Sequence, residues 1–115
     1  MEPNVFEKYM PMTETAYYIL MSLETPIHGY GIILNVDSLT NGRIRIGAGT
    51  IYGTLSKLEK DGLISAAYEE DRRKYYVQTK LGEALLSKEV DRLVELANHG
   101  TLWRKKNGQK NRSIK

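Results

Sequence analysis

The sequence predicts a mainly α fold that carries one small β-hairpin. Three observations lead there. Three stretches with apolar residues at helical spacing lie between residues 13 and 61. Two short runs rich in β-favouring residues follow, at 63–68 and 73–77, with the polar turn Glu69-Glu70-Asp71-Arg72 between them. Leucine and valine at helical spacing then fill a long stretch after Thr79. Three helices, a hairpin and a long helix, in that order, make a winged helix-turn-helix domain followed by a C-terminal helix.

Residues 1–12 hold Pro3 and Pro11 without a clear period, and read as an N-terminal arm, either loose or with a short helix. A helix follows from about Thr13, its N-cap, to Leu23, with Ala16, Ile19, Leu20 and Leu23 on one face. Pro26 ends it, because the residue before a proline avoids the helical region. The next helix covers roughly His28 to Leu39 on the stripe Ile32, Val36 and Leu39, and Thr40-Asn41-Gly42 closes it with turn chemistry. Arg43-Ile44-Arg45-Ile46 alternates like a strand and is a candidate third strand beside the hairpin. The third helix starts near Gly47–Thr50 and runs to Asp61, with Ile51, Leu55 and Leu58 inward and Gly62 as its stop. These elements group as a winged domain over 13–79. A C-terminal helix region spans 80–103, with Asn98-His99-Gly100 as a cap and a short helical piece around Leu102 and Trp103. A basic tail over 104–115 reads as disordered.

The bulk numbers describe one modest domain of 115 residues, 41% hydrophobic and 27% charged. The net charge of +3 misleads. Residues 100–115 hold Arg104, Lys105, Lys106, Lys110, Arg112 and Lys115 with no acid, so the first 99 residues are net −3. An argument for an anionic partner has to come from local patches. There is no cysteine, which removes disulfides, thiolate metal sites and a cysteine nucleophile. No apolar run approaches the roughly 18 residues of a membrane span. No basic segment leads into an apolar stretch at the N-terminus. Together these favour a cytoplasmic protein. Catalytic constellations are thin. His28 and His99 are the only histidines and each sits at an expected helix end, where capping, a phosphate or the helix dipole suits it better than catalysis. No glycine-rich loop ends in lysine-serine, and no cofactor is expected.

The third helix is the element suited to DNA. Outside its apolar stripe it shows Thr50, Gly53, Thr54 and Lys57, with Tyr52 at the flank. A helix that enters the major groove needs such small polar groups, because bulk would hold its backbone away from base edges. Gly47 and Gly49 let the helix start approach a phosphate. A solvated surface helix reads the same way, so the hairpin matters. Arg72, Arg73 and Lys74 stand together at its tip, where they can clamp phosphates or reach the minor groove. The acids Glu69, Glu70 and Asp71 precede them and can offset that charge. A protein-interaction module is the competing reading, and charge reversal at Lys57 and Arg72–Lys74 separates the two.

The runs HGYGIILNV at 28–36, GTIYGTLSKLEKDGLI at 49–64 and RRKYYVQTKLG at 72–82 resemble the PadR family of bacterial transcriptional regulators. The resemblance covers roughly residues 13–98. It implies a dimeric winged-helix repressor whose C-terminal helix pairs with its mate, and whose two recognition helices read a roughly palindromic operator. In several members an apolar or aromatic ligand releases the DNA. Position by position, Thr50, Tyr52, Thr54 and Lys57 match the family's recognition-helix surface, Tyr30 a position expected near a phosphate, and Arg72, Arg73 and Lys74 the wing, while Gly49 and Gly53 join the candidate DNA-binding residues from the reading of the helix itself. Gly53 stands where many members carry proline, which implies a softer helix start. Leu93 stands where one compact type carries a ligand-stacking tryptophan, so stacking in a central pore is not expected. The implied dimer seam is Leu86, Val90, Leu93, Val94 and Ala97, at 4-3-1-3 spacing. Trp103 is expected to pack on the N-terminal arm near Phe6 or Tyr9, or on the partner.

Overall fold

The computed structural model describes residues 4–111, with side chains through Gly108. Five helices and three strands follow one another as α1 (Val5–Tyr9), α2 (Glu14–Ser22), β1 (Ile27–His28), α3 (Gly29–Leu39), α4 (Ala48–Lys60), β2 (Ile64–Glu70), β3 (Arg73–Gln78) and α5 (Lys80–Asn111). The architecture is a winged helix-turn-helix with a long C-terminal helix. The arm holds the short helix α1, capped by Asn4, whose side chain accepts the Phe6 N–H.

One core sits under α2, α3, α4 and the start of α5. Ile19, Leu20 and Leu23 meet Ile32 and Val36, then Ile51, Leu55 and Leu58, then Leu63, Ile64 and Leu85, all buried. Each such side chain contributes roughly 1.5–3 kcal/mol by leaving water. Leu39, placed on the same stripe by its spacing, is exposed instead, because it is the last residue of its helix.

The helix ends follow from local chemistry. Thr13 accepts the Ala16 N–H at the start of α2. α4 ends in a Schellman motif: Leu63 N–H donates to the Leu58 carbonyl and Gly62 N–H to that of Glu59, with Gly62 at φ +78°. α3 ends likewise with Asn41 in the left-handed position.

The third strand is not where the alternation at 43–46 put it. Those residues form no strand, although Ile46 is buried and Ile44 half-buried as the alternation requires. Arg43 and Arg45 turn outward to Glu14 and Asp37. The free edge of β3 is taken instead by β1, giving the order β1-β3-β2 with Ile27 opposite Tyr76 and His28 opposite Tyr75. The hairpin is also longer than its polar residues suggest. β2 runs through Glu70, and the turn is only Asp71-Arg72, both at positive φ (53° and 65°), as a two-residue turn matched to strand twist requires.

α5 is unbroken from Lys80 to Asn111. The expected cap at Asn98-His99-Gly100 is ordinary helix. Residues 104–111, read as disordered tail, are helical too, while residues 112–115 lie outside the described residues. The helix gives the chain a radius of gyration of 17.0 Å, against about 13 Å for a compact chain of this length.

The joint between arm and α5 is polar. Glu89, 1% exposed, accepts the Met12 N–H at 2.8 Å and the Nε and Nη2 of Arg92 at 2.8 and 2.6 Å. The Arg92 bonds, helped by Met12 and opposed by burial, hold its carboxyl below the ordinary value of 4.5. A depressed carboxylate stabilises the fold above that value and loses the contribution as pH falls through it. The thermal midpoint of Glu89→Gln is therefore expected to lie below wild type at neutral pH, with the gap closing below about pH 4.5. A constant gap down to pH 3 excludes this role for the Glu89 charge.

Candidate nucleic-acid interface

The motif His28-Gly29-Tyr30-Gly31 works through its two glycines. A Cβ on Gly29 would stand 2.7 Å from the Tyr52 ring, and one on Gly31 2.7 Å from His28 Nδ1. An added methyl would push the exposed Tyr52 ring off Gly29 and crowd the His28 ring at Gly31. Gly29 thus seats Tyr52 beside Tyr30, and Gly31 seats His28 as the cap of α3. Tyr30 and Tyr52 remain 52% and 57% exposed.

The pairing of β1 with β3 brings the wing to the same place. His28, Tyr30, Tyr52, Arg72, Arg73 and Lys74 line one open groove of about 350 Å³. The three wing cations make no ion pair among the described residues. Glu69 and Glu70 stand opposite Lys74 and Arg73 in register, without reaching ion-pair distance. The acids of the hairpin therefore leave the cationic tip open to an outside anion. On the sheet, His28 stacks on Tyr75 at 5.1 Å and Tyr75 on Tyr68 at 4.6 Å, which stiffens the wing.

Not all the residues singled out from sequence share that groove. Tyr52 and Thr54 are about 200° apart around α4. Thr54 faces the other way, into a pocket against the arm, and Lys57, two turns on from Thr50 on the exposed face, reaches over the same pocket with its Nζ 5.3 Å from the Tyr9 ring centre. Tyr9 in turn donates to Asp61 at 2.7 Å, beside Lys8 at 3.0 Å. Both bonds hold the Asp61 carboxyl below its ordinary range. Burial and Asp61 raise the Tyr9 hydroxyl far above its own.

Between the two flanks, Gly49, Thr50 and Gly53 lie exposed on the outermost strip of α4. Nothing lies within 4 Å of a Cβ built on Gly49 or Gly53. Gly53 is the sixth residue of α4, inside the helix and not at a soft start. Ser56 and Lys60 extend the same exposed strip. Sequence reading passed over both, although their spacing from Gly53 placed them there. A glycine inside a helix costs roughly 0.5–1 kcal/mol relative to alanine, and packing within this chain does not offset that cost.

The dimer-seam residues lie along α5. Leu86 is half-buried against the core. Val90, Leu93, Val94 and Ala97 are exposed, as are Leu96, Leu102 and Trp103. Trp103 does not reach the arm. Phe6 lies under Lys88, and Trp103 is 15 residues, or about 22 Å, further along the helix. Among the described residues no group of acidic or histidine side chains is arranged to hold a metal ion. None of their helices is long and apolar enough to cross a membrane.

Comparison with known proteins gives this geometry a family. An uncharacterized protein from Lysinibacillus sphaericus is 36% identical over 78 residues, covering 64% of this chain and 72% of that protein. A transcriptional regulator from Clostridium thermocellum superposes with a TM-score of 0.63 at 26% identity, over 98% of this chain and all of that one. A PadR family transcriptional regulator from Eggerthella lenta superposes with a TM-score of 0.62 at 29% identity, over 77% of this chain and 80% of that one. Residues 17–88 match the sequence profile of the transcriptional regulator PadR-like family. This chain therefore belongs to the PadR-like family, whose members are transcriptional regulators and not enzymes.

Proposed function

We propose that the chain is a cytoplasmic, homodimeric repressor that binds a palindromic operator. α4 enters the major groove with Gly49, Thr50 and Gly53 foremost. Tyr30, Tyr52 and the wing cations Arg72, Arg73 and Lys74 hold the flanking phosphates. The observation that carries this reading is the open groove in which α3, α4 and the wing bring those hydroxyls and cations together. Thr54 and Lys57 act from the arm side of α4. Val90, Leu93, Val94 and Ala97 support a dimer, since an exposed apolar strip on a projecting helix calls for a covering surface. The arm-side pocket of about 290 Å³, lined in part by Tyr9, Met12 and Ala16, is where a small apolar or aromatic effector would press on α4.

Reversing Arg72, Arg73 and Lys74 to glutamate is expected to weaken operator binding by about a hundred-fold or more at moderate salt, and to flatten its salt dependence. Binding unchanged by the triple reversal refutes the DNA-binding role of the wing and favours a protein partner.

Gly53→Ala tests the helix. It is expected to raise stability by about 0.5–1 kcal/mol while weakening DNA binding, because the added methyl stands between backbone and bases. A variant that gains stability and binds DNA as before shows that this strip is not approached.

A further inference from the structure

His28 stands between two hydrogen-bond donors. Its Nδ1 accepts the Gly31 N–H at 3.2 Å as the cap of α3. A neutral imidazole with a bare Nδ1 carries its proton on Nε2. Nε2 lies 2.9 Å from Nη1 of Arg73, a nitrogen that can only donate. The Gly31 N–H and the Arg73 guanidinium therefore compete for the one acceptor of a neutral ring, and with the α3 cap kept, two N–H groups face each other across the wing. The ring is held in place by its close approach to Gly31 and by its stack on Tyr75, with 5° between the planes. Arg73 has no carboxylate partner among the described residues. The conflict resolves once the exposed Arg73 side chain draws back to admit one acceptor that both donors reach, and both residues line the groove that Tyr30 and Tyr52 share.

The geometry points to a two-donor clamp, His28 Nε2–H with Arg73 Nη1–H, that closes on a single phosphodiester oxygen of the DNA backbone. This rests on the DNA-binding reading and adds His28 to it. A phosphate oxygen is anionic and takes several donors at once, so it satisfies both groups. The clamp ties the cap of α3 to the wing. A bound phosphate thereby fixes the angle between the helix-turn-helix and the hairpin. His28 is a binding residue of the backbone-positioning kind, indifferent to base sequence.

The test uses the full chain and a duplex selected for binding from random sequence. ¹⁵N spectra of the imidazoles report the tautomer, with His99 as the internal reference. The free protein is expected to show His28 protonated on Nε2 alone, and the duplex to shift that nitrogen while leaving His99 in place. His28→Asn keeps an acceptor for the α3 cap, and its shorter amide places no donor at the Nε2 position. It is expected to bind the duplex about ten-fold more weakly with the thermal midpoint little changed. Arg73→Gln should lose about ten-fold and lower the salt slope by roughly one. The double variant should lose much less than the product, because both donors serve one oxygen. A His28 proton on Nδ1 in the free protein overturns the clamp, since Nε2 then accepts from Arg73 and no anion is called for. Undiminished binding by His28→Asn also overturns it, while leaving the DNA reading to the triple wing reversal. Inorganic phosphate that shifts Nε2 as far as the duplex does, at equal phosphate concentration, overturns the assignment to the DNA backbone.

Discussion

Leu93→Glu is expected to leave the chain folded, make it monomeric and weaken operator binding by about a hundred-fold or more. Leu93 is 37% exposed in the single chain and lies one turn beyond Glu89, where α5 leaves the core. Its replacement therefore removes nothing that holds α2, α3 and α4 together. In a two-fold dimer the residue meets its own copy or a near neighbour, so a single substitution places two carboxylates in one apolar seam. Burying such a pair costs several kcal/mol. Loss of the dimer then separates two half-site contacts that had acted as one. Linked sites gain about 10²–10⁴ in affinity over either alone, and that is the margin the variant gives up. Sedimentation equilibrium reads the first effect and gel-shift titration the second. A Leu93→Glu chain that stays dimeric places the interface elsewhere.

Gly82→Ala has the largest expected effect on folding. A Cβ there would stand 2.1 Å from the Leu63 carbonyl oxygen and 3.1 Å from its carbon. Both are backbone atoms, and neither is free to move. The Leu63 carbonyl accepts the Thr79 N–H at 3.0 Å, and the loop before it is fixed by the Schellman turn at Gly62. Thr79 ties the same two segments again, donating to the Gly62 carbonyl at 2.7 Å and accepting the Gly82 N–H at 3.1 Å. α5 must therefore back away from the α4–β2 corner and take the buried Leu85 with it. Alanine gains roughly 1 kcal/mol of helix propensity, which overpacking of this severity outweighs. The net loss should be about 3 kcal/mol, a drop of roughly 12 °C or more in thermal midpoint. Gly53→Ala, with open space around its Cβ, should move the midpoint the other way. Equal midpoints for wild type and Gly82→Ala rule out this close approach.

What could be read from the sequence follows from range. Ile51, Leu55 and Leu58 announce their helix because the 3.6-residue period is local, and the hairpin shows itself through adjacent β-favouring residues. β1 could not be found that way. Two residues carry no period, and Ile27-His28 is a strand only because β3 offers it an edge. Glu89 looks like any polar residue of a long helix, since its partner Met12 is 77 positions away. Asn98-His99-Gly100 imitates a helix stop, yet one glycine costs only about 1 kcal/mol and no proline follows it. At the site, residue types were legible and grouping was not. The period of α4 puts Thr54 and Lys57 outside its apolar stripe with Tyr52 at the flank, but does not show that Tyr52 joins the wing groove while Thr54 and Lys57 line the arm-side pocket. The reason for Gly29 and Gly31 lies in two aromatic rings, one of them from another helix.

α4 and the wing are expected to bind DNA as a two-fold pair. Hydroxyl-radical footprinting of the DNA upstream of the gene for this chain tests it most directly. Two protected half-sites related by a palindrome are expected, their centres about one helical turn apart, with protection that fades as salt rises. Both are expected to be lost together in Leu93→Glu and in the triple wing reversal. No protection at that promoter or any other in low salt, with the protein folded and dimeric, would contradict it.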